Sequence, residues 1–153
     1  MIDPPDMVTF SKKAQAAGFY YGNREIRSKL PYRIFNTWLG DPSKALLFRA
    51  IIQEIERLDL VENTRVTGDY LFDGLRRLQH RYPDEILNLR GKGWGTFIAW
   101  DSPRRDELTR RAKEEGINIG GSGARAVRLR PMLVFQKHHA DIFLERMERI
   151  FKT

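Results

Sequence analysis

The 153-residue chain carries 41% hydrophobic and 31% charged residues, the balance of a folded domain rather than a disordered segment. It has no cysteine, which excludes a disulfide framework and a thiolate metal site, and no apolar run near the roughly 18 residues that span a bilayer. The net charge of +7 could indicate an anionic partner, yet Arg104-Arg105 and Arg110-Arg111 are interleaved with Asp106, Glu107, Glu114 and Glu115, as on a solvated helix. No helix-turn-helix, zinc-finger or RNA-binding-sheet pattern accompanies them, so neither nucleic acid nor membrane is expected as a partner.

In chain order, Met1-Ile2-Asp3-Pro4-Pro5 has neither the basic region nor the apolar core of a secretory signal. It reads as a polar lead-in to a strand, Met7-Val8-Thr9-Phe10, that would be central to a sheet, which suggests a truncated start. Gly18-Phe19-Tyr20-Tyr21-Gly22 is a second short strand bounded by glycines. Asp41-Pro42 opens a helix of about four turns, with Asp41 as N-cap and Leu47, Ile51, Ile55 and Leu58 at helical spacing. A second helix is predicted from about Asn63 to Arg81, with Val66, Tyr70, Leu71, Leu75 and Leu78 on its apolar face, ended by Tyr82-Pro83. A new part begins near Asp84. It holds a strand Thr96–Trp100, a polar-faced helix Pro103–Glu115 closed by Gly116, a short strand Ile117–Ile119 running into a glycine turn at 120–123, and a strand Val127–Leu129 stopped by Pro131. The last helix, about His138 to Phe151, lines up Ala140, Phe143, Leu144, Met147, Ile150 and Phe151. Strands alternating with helices indicate an α/β sandwich.

Three positions could carry chemistry. Lys12 follows a buried strand, where α/β enzymes place reactive groups, and a primary amine there can condense with an aldehyde cofactor. A Lys12-Lys13 pair is also what an ordinary solvated face looks like. Thr37 precedes the helix capped by Asp41, and a hydroxyl near a helix start can bind phosphate or simply satisfy a loop. Period two places Arg128 and Arg130 on one face of their strand and Val127 and Leu129 on the other; the arginines read either as a solvated face or as a fork for a carboxylate. Adjacent His138 and His139 point different ways on a helix, so no metal site is expected. Gly120-Gly121-Ser122-Gly123 lacks the lysine of a phosphate-binding loop and reads as a flexible turn.

The words Val8-Thr9-Phe10-Ser11-Lys12-Lys13 and Pro31-Tyr32-Arg33-Ile34-Phe35-Asn36-Thr37-Trp38-Leu39-Gly40-Asp41-Pro42-Ser43-Lys44 resemble the fold-type I, pyridoxal-phosphate-dependent aminotransferases of class III. The likeness continues through Leu89-Arg90-Gly91-Lys92-Gly93, Gly95-Thr96-Phe97, Gly120–Gly123 and Val127–Phe135, although the segment Gly91–Gly95, with Trp94 inside it, is longer than the family word. Within the class the second word is most similar to the branch that acts on 4-aminobutyrate; an ornithine or ω-amino acid branch is the alternative, as is a short non-catalytic dimerising module. The resemblance implies an α/β fold in which residues 1–60 end the large cofactor-binding domain with its linking helix and residues 61–153 form the C-terminal small domain. It implies pyridoxal 5'-phosphate as cofactor, Lys12 as the lysine that forms the internal aldimine, and Thr37 as a ligand of the cofactor phosphate in the neighbouring subunit of a homodimer. It implies Arg128, which opens an Arg-x-x-Pro word, as the holder of the carboxylate of the amino acceptor; Arg130 is assigned no contact. The reaction implied is transfer of the amino group of 4-aminobutyrate to 2-oxoglutarate, in the mitochondrial matrix or cytosol. Only the last third of such an enzyme is present, so the fragment alone is expected to be inactive, with its ring-pairing residues upstream.

Overall fold

The structure is a computed structural model that describes residues 4–35, 37 and 40–152. Asn36, Trp38 and Leu39 of the long word lie outside the described residues. The chain divides into two compact units, Met1–Leu58 and Asp59–Thr153.

In the first unit, β1 (Met7–Phe10) and β2 (Gly18–Tyr21) form an antiparallel pair, with Met7 opposite Tyr21 and Phe10 opposite Gly18. Helix α1 (Pro42–Arg57) starts where the sequence predicts: the Asp41 carboxylate accepts the Ser43 N–H at 2.9 Å and Pro42 takes the first helical position. Phe10 stacks on Tyr20 at 5.2 Å and on Phe48 of α1 at 5.1 Å, a three-ring cluster that holds strand to helix. No described residue of this unit is buried. Leu46, Tyr32 and Phe35 are each more than 60% exposed, so the unit presents apolar surface that it does not cover itself.

The second unit has a core. Helix α2 (Leu60–Arg81) begins three residues before the predicted Asn63, entered by Asp59 in the left-handed conformation (φ 46°). Four strands follow: β3 (Leu87–Arg90), β4 (Ala99–Asp101), β5 (Gly120–Ser122) and β6 (Ala126–Arg128). They form an all-antiparallel sheet of order β3-β4-β6-β5. Helices α3 (Arg105–Glu114) and α4 (Lys137–Phe151) complete the unit. Leu71, Leu75 and Leu78 of α2, Phe143 and Met147 of α4, Trp100 and Val127 of the sheet, and Ile98 just before β4 meet in one cluster. Trp100 is fully buried; its indole N–H has no hydrogen-bond partner among the described residues. No helix among the described residues is long and apolar enough to cross a membrane.

Three strand assignments differ from the sequence reading. β3 is absent from it, because Leu87–Arg90 has only two apolar residues and a left-handed Asn88 in the middle. The predicted strand Thr96–Trp100 begins only at Ala99, because Gly91, Gly93 and Gly95 all adopt positive φ and fold 91–97 into successive turns. The predicted glycine turn is instead strand β5, and Ile117–Ile119 before it is irregular. β5 needs its glycine because the Arg105 side chain lies across it: a Cβ on Gly121 would fall 2.1 Å from Arg105 Nη1, which donates to the Gly123 carbonyl at 3.1 Å.

The loop of three glycines is fixed by a second close approach. A Cβ on Gly68 of α2 would fall 2.2 Å from the carbonyl carbon and oxygen of Gly95. Backbone meets backbone there, so neither side can rotate away. Gly68→Ala is expected to destabilise the protein by about 1–3 kcal/mol through overpacking, although alanine is the better helix former by about 1 kcal/mol. Gly74→Ala should cost less, since its Cβ would meet Cδ1 at the end of the Leu144 side chain, at 2.3 Å, rather than backbone. Thermal melts of the two variants check the order; equal losses would remove the Gly68–Gly95 constraint.

On the open face of the sheet, Asn88 donates to Asp101 at 3.0 Å and Arg90 pairs with it at 3.0 Å; together they hold its carboxyl below the usual carboxylate range. A lowered folded-state pKa means stability that is present above the unfolded value and lost as pH falls. The stability gap between the native protein and Asp101→Asn should therefore be widest near neutral pH and close below about pH 4. Denaturant titrations at several pH values measure it, and a gap that grows in acid would contradict this pairing.

Candidate functional site

The candidate residues lie in both units. In the first, Ser11 leaves β1 in an extended conformation (φ −166°) and Lys12 turns at once into the left-handed region (φ 56°). A single 3-10 turn over Lys12–Ala14 follows, closed by the Gln15 N–H donating to the Lys12 carbonyl at 2.7 Å. A non-glycine residue at positive φ stores strain, and such strain collects at functional positions. The Lys12 side chain is exposed, with no ion-pair partner among the described residues. Lys13, next to it, has ordinary helical backbone and is engaged by other groups. The two lysines of the pair are thus distinct in backbone geometry, which the sequence could not express.

Thr37 is an exposed turn residue. Past it, Gly40 takes a positive φ (86°) and Asp41 caps α1. The hydroxyl and N–H of Ser43 hold the Asp41 carboxyl below the usual range, so the cap stays anionic and satisfied.

In the second unit, the alternation predicted for β6 is present: Val127 and Leu129 are buried, Arg128 and Arg130 exposed. Arg128 is the last residue of β6, paired with Ala99 on one side and Gly120 on the other. Beside it opens a pocket of about 410 Å³, with Arg128, Arg130 and Arg146 among its cationic walls and Ile119, Phe135 and Ile142 among its apolar ones. Arg146 is committed, donating to the Glu115 carbonyl. The guanidiniums of Arg128 and Arg130 have no partner among the described residues. The nearest carboxylate of the sheet, Asp101, is taken by Asn88 and Arg90. A concave, partly apolar site with unspent guanidiniums suits a small organic carboxylate.

His139 lines the same pocket and has a structural duty: its Nδ1 accepts the Gln136 N–H at 3.0 Å, one half of the capping box that opens α4. Among the described residues no group of three or more His, Asp or Glu side chains is arranged to hold a metal ion. One residue behind the site is invisible to motif reading. Asn63, taken as a helix start, sits in the first turn of α2 and donates its side-chain amide to the carbonyls of Leu133 and Phe135, at 2.9 and 3.0 Å. The one sequence signal for it is a poor helix former inside a helix, whose side chain is free to bond elsewhere.

The sequence matches the family described as Aminotransferase class-III over residues 2–151. A 4-aminobutyrate aminotransferase of Emericella nidulans is 69% identical over 97% of this chain, and the chain spans 30% of that relative's length. The mitochondrial 4-aminobutyrate aminotransferase of Homo sapiens is 48% identical over 93% of the chain, which spans 28% of it. Among solved structures, a lysine aminotransferase from M. tuberculosis in its internal aldimine form superposes with a TM-score of 0.85 at 30% identity, covering 95% of this chain and 35% of its own. The α/β fold is that of these pyridoxal-phosphate-dependent transferases. With the family matched over nearly its whole length, the chain belongs to the class-III aminotransferases.

Proposed function

We propose that the polypeptide to which this chain belongs transfers the amino group of 4-aminobutyrate to 2-oxoglutarate, giving succinate semialdehyde and glutamate. The observation that carries the reading is the 69% identity to a 4-aminobutyrate aminotransferase along 97% of the chain. The family acts on small molecules with pyridoxal 5'-phosphate. In this reading residues 1–60 are the end of the large cofactor-binding domain with its linking helix, and residues 61–153 the small domain. The chain spans about a third of its relatives, so this segment supplies part of a site and has no useful activity by itself. The site is shared across a homodimer, and the uncovered apolar surface of the first unit supports burial against further protein. The compartment is the mitochondrial matrix or the cytosol.

The residues fit the cofactor. Lys12 offers an exposed, unpaired amine on a constrained backbone, and Thr37 a hydroxyl in an exposed turn. Lys12 would hold the aldehyde end through Nζ, and Thr37 the phosphate of the neighbouring subunit's cofactor. When bound, pyridoxal phosphate supplies the electron sink that stabilises carbanion character next to the amino group. Lys12 Nζ would take the proton from the amino-bearing carbon of the donor, acting first as base and then as acid. Arg128 receives the carboxylate of 2-oxoglutarate bidentately and orients its keto carbon; Ile119 and Phe135 exclude water beside it.

Two measurements test the reading. Borohydride reduction of the native protein followed by peptide mapping should leave a pyridoxyl adduct on Lys12; an adduct on Lys13 would move the assignment by one residue, and none would remove the enzyme reading. Arg128→Met in the complete enzyme should raise the KM for 2-oxoglutarate by about 10- to 100-fold, corresponding to about 1.4–2.8 kcal/mol. A donor panel of 4-aminobutyrate, ornithine and lysine should show preference for the first, and preference for either of the others would replace the substrate.

A further inference from the structure

Between Leu129 and Ala140 no side chain is buried, and Met132 and Val134 are 72% and 48% exposed. In the turn that follows the strand of Arg128, Phe135 is half-buried against the core and stacks on His139 at 5.5 Å. Two polar anchors flank the turn. Upstream, the Leu129 N–H donates to the Ile98 carbonyl at 2.8 Å, one last bond to the sheet. Downstream, Asn63 donates both amide hydrogens, to Leu133 O at 2.9 Å and Phe135 O at 3.0 Å, across 70 and 72 residues of sequence. The turn closes on itself through the Phe135 N–H and the Met132 carbonyl at 3.0 Å. The Asn63 carbonyl lies 3.5 Å from the hydroxyl of buried Thr67. These partners fix the amide's orientation, since a flipped amide would set its oxygen against two carbonyl oxygens. Arg130, Pro131 and Phe135, the residues strung between the anchors or at their end, are walls of the pocket beside Arg128.

We infer that Asn63 is a positioning residue for the acceptor pocket: its amide clamps the 131–135 turn and so sets the wall against which the carboxylate-bearing acceptor is held. The inference rests on the reading of Arg128 given above. Asn63 touches no substrate. Its effect is geometric, and displacements of about 1 Å at a substrate-positioning wall can cost up to about 10²-fold in rate. That reading assigns Arg128 to the carboxylate of the acceptor, so the half-reaction with the amino donor should not sense the clamp.

The test uses the complete enzyme and separates the two half-reactions by stopped-flow absorbance of the cofactor. Asn63→Ala and Asn63→Asp are expected to weaken the half-reaction with 2-oxoglutarate by about 5- to 50-fold and to leave the half-reaction with 4-aminobutyrate within about twofold. Asn63→Asp keeps the size and the acceptor for Thr67 but loses both donors, so it should do at least as much damage as Asn63→Ala; a residue that merely fills space would show the opposite order. The inference is overturned if the acceptor half-reaction is unchanged, or if both half-reactions fall together in step with the melting temperature. Arg128→Met in the same assays separates the two levels. If it loses the acceptor half-reaction while the Asn63 variants do not, the clamp alone is wrong; if it too leaves that half-reaction intact, the assignment of Arg128 fails and this inference with it.

Discussion

The second unit depends on the two-residue period of one short strand. Val127 and Leu129 turn inward, and Val127 pairs across the ladder with Trp100, the largest fully buried side chain. The inward row contributes to the core with α2 and α4. A slip of one residue in this register would put guanidiniums into that core and valine into water, at a cost no neighbouring interaction could offset. The outward position of Arg128 and Arg130 is thus a consequence of burial opposite them. The site needs no separate mechanism to keep its guanidiniums facing outward.

The first unit follows another logic. None of its described residues is buried, and its elements are joined by the stack of Phe10, Tyr20 and Phe48. A segment of this kind carries its information in backbone geometry. The strand ends at Ser11, the chain reverses into the left-handed region at Lys12, and the next residues make one tight turn. That geometry gives the amine a defined departure from the strand, and it sets Lys12 apart from Lys13, which chemistry and composition leave equivalent. Strain of this sort persists only when surroundings over-determine it, and the described part of this unit leaves apolar side chains such as Tyr32, Phe35 and Leu46 uncovered.

What could be read in the sequence follows from how locally each feature is encoded. Asp41-Pro42 names a helix start by itself, and the α4 stripe names its buried face, because capping and periodicity act within a few residues. The face of Arg128 was legible for the same reason. β3 was not, because two leucines and a left-handed asparagine make no pattern until β4 pairs with them. The glycines of 120–123 looked like a flexible turn because the thing they accommodate, the Arg105 side chain, comes from 16 residues upstream of Gly121 and from another element. Asn63 is the extreme case: its partners are main-chain carbonyls, which every residue has, so no residue type at the far end announces the contact.

Charge distribution connects these observations. The excess of +7 belongs to the whole chain, but many of its arginines are satisfied locally. Arg65 pairs with Glu62 at 2.6 Å and Arg76 with Asp73 at 3.0 Å within α2; Arg104 reaches Glu85, and Arg81 reaches Glu148 across to α4. Such exposed pairs contribute little to stability, yet they neutralise the field over the helices. What is left unpaired in the pocket beside β6 is a pair of guanidiniums whose nearest sheet carboxylate is already engaged by Asn88 and Arg90. An anion entering that pocket therefore meets two open guanidiniums, while the helix arginines named above are already committed to carboxylates.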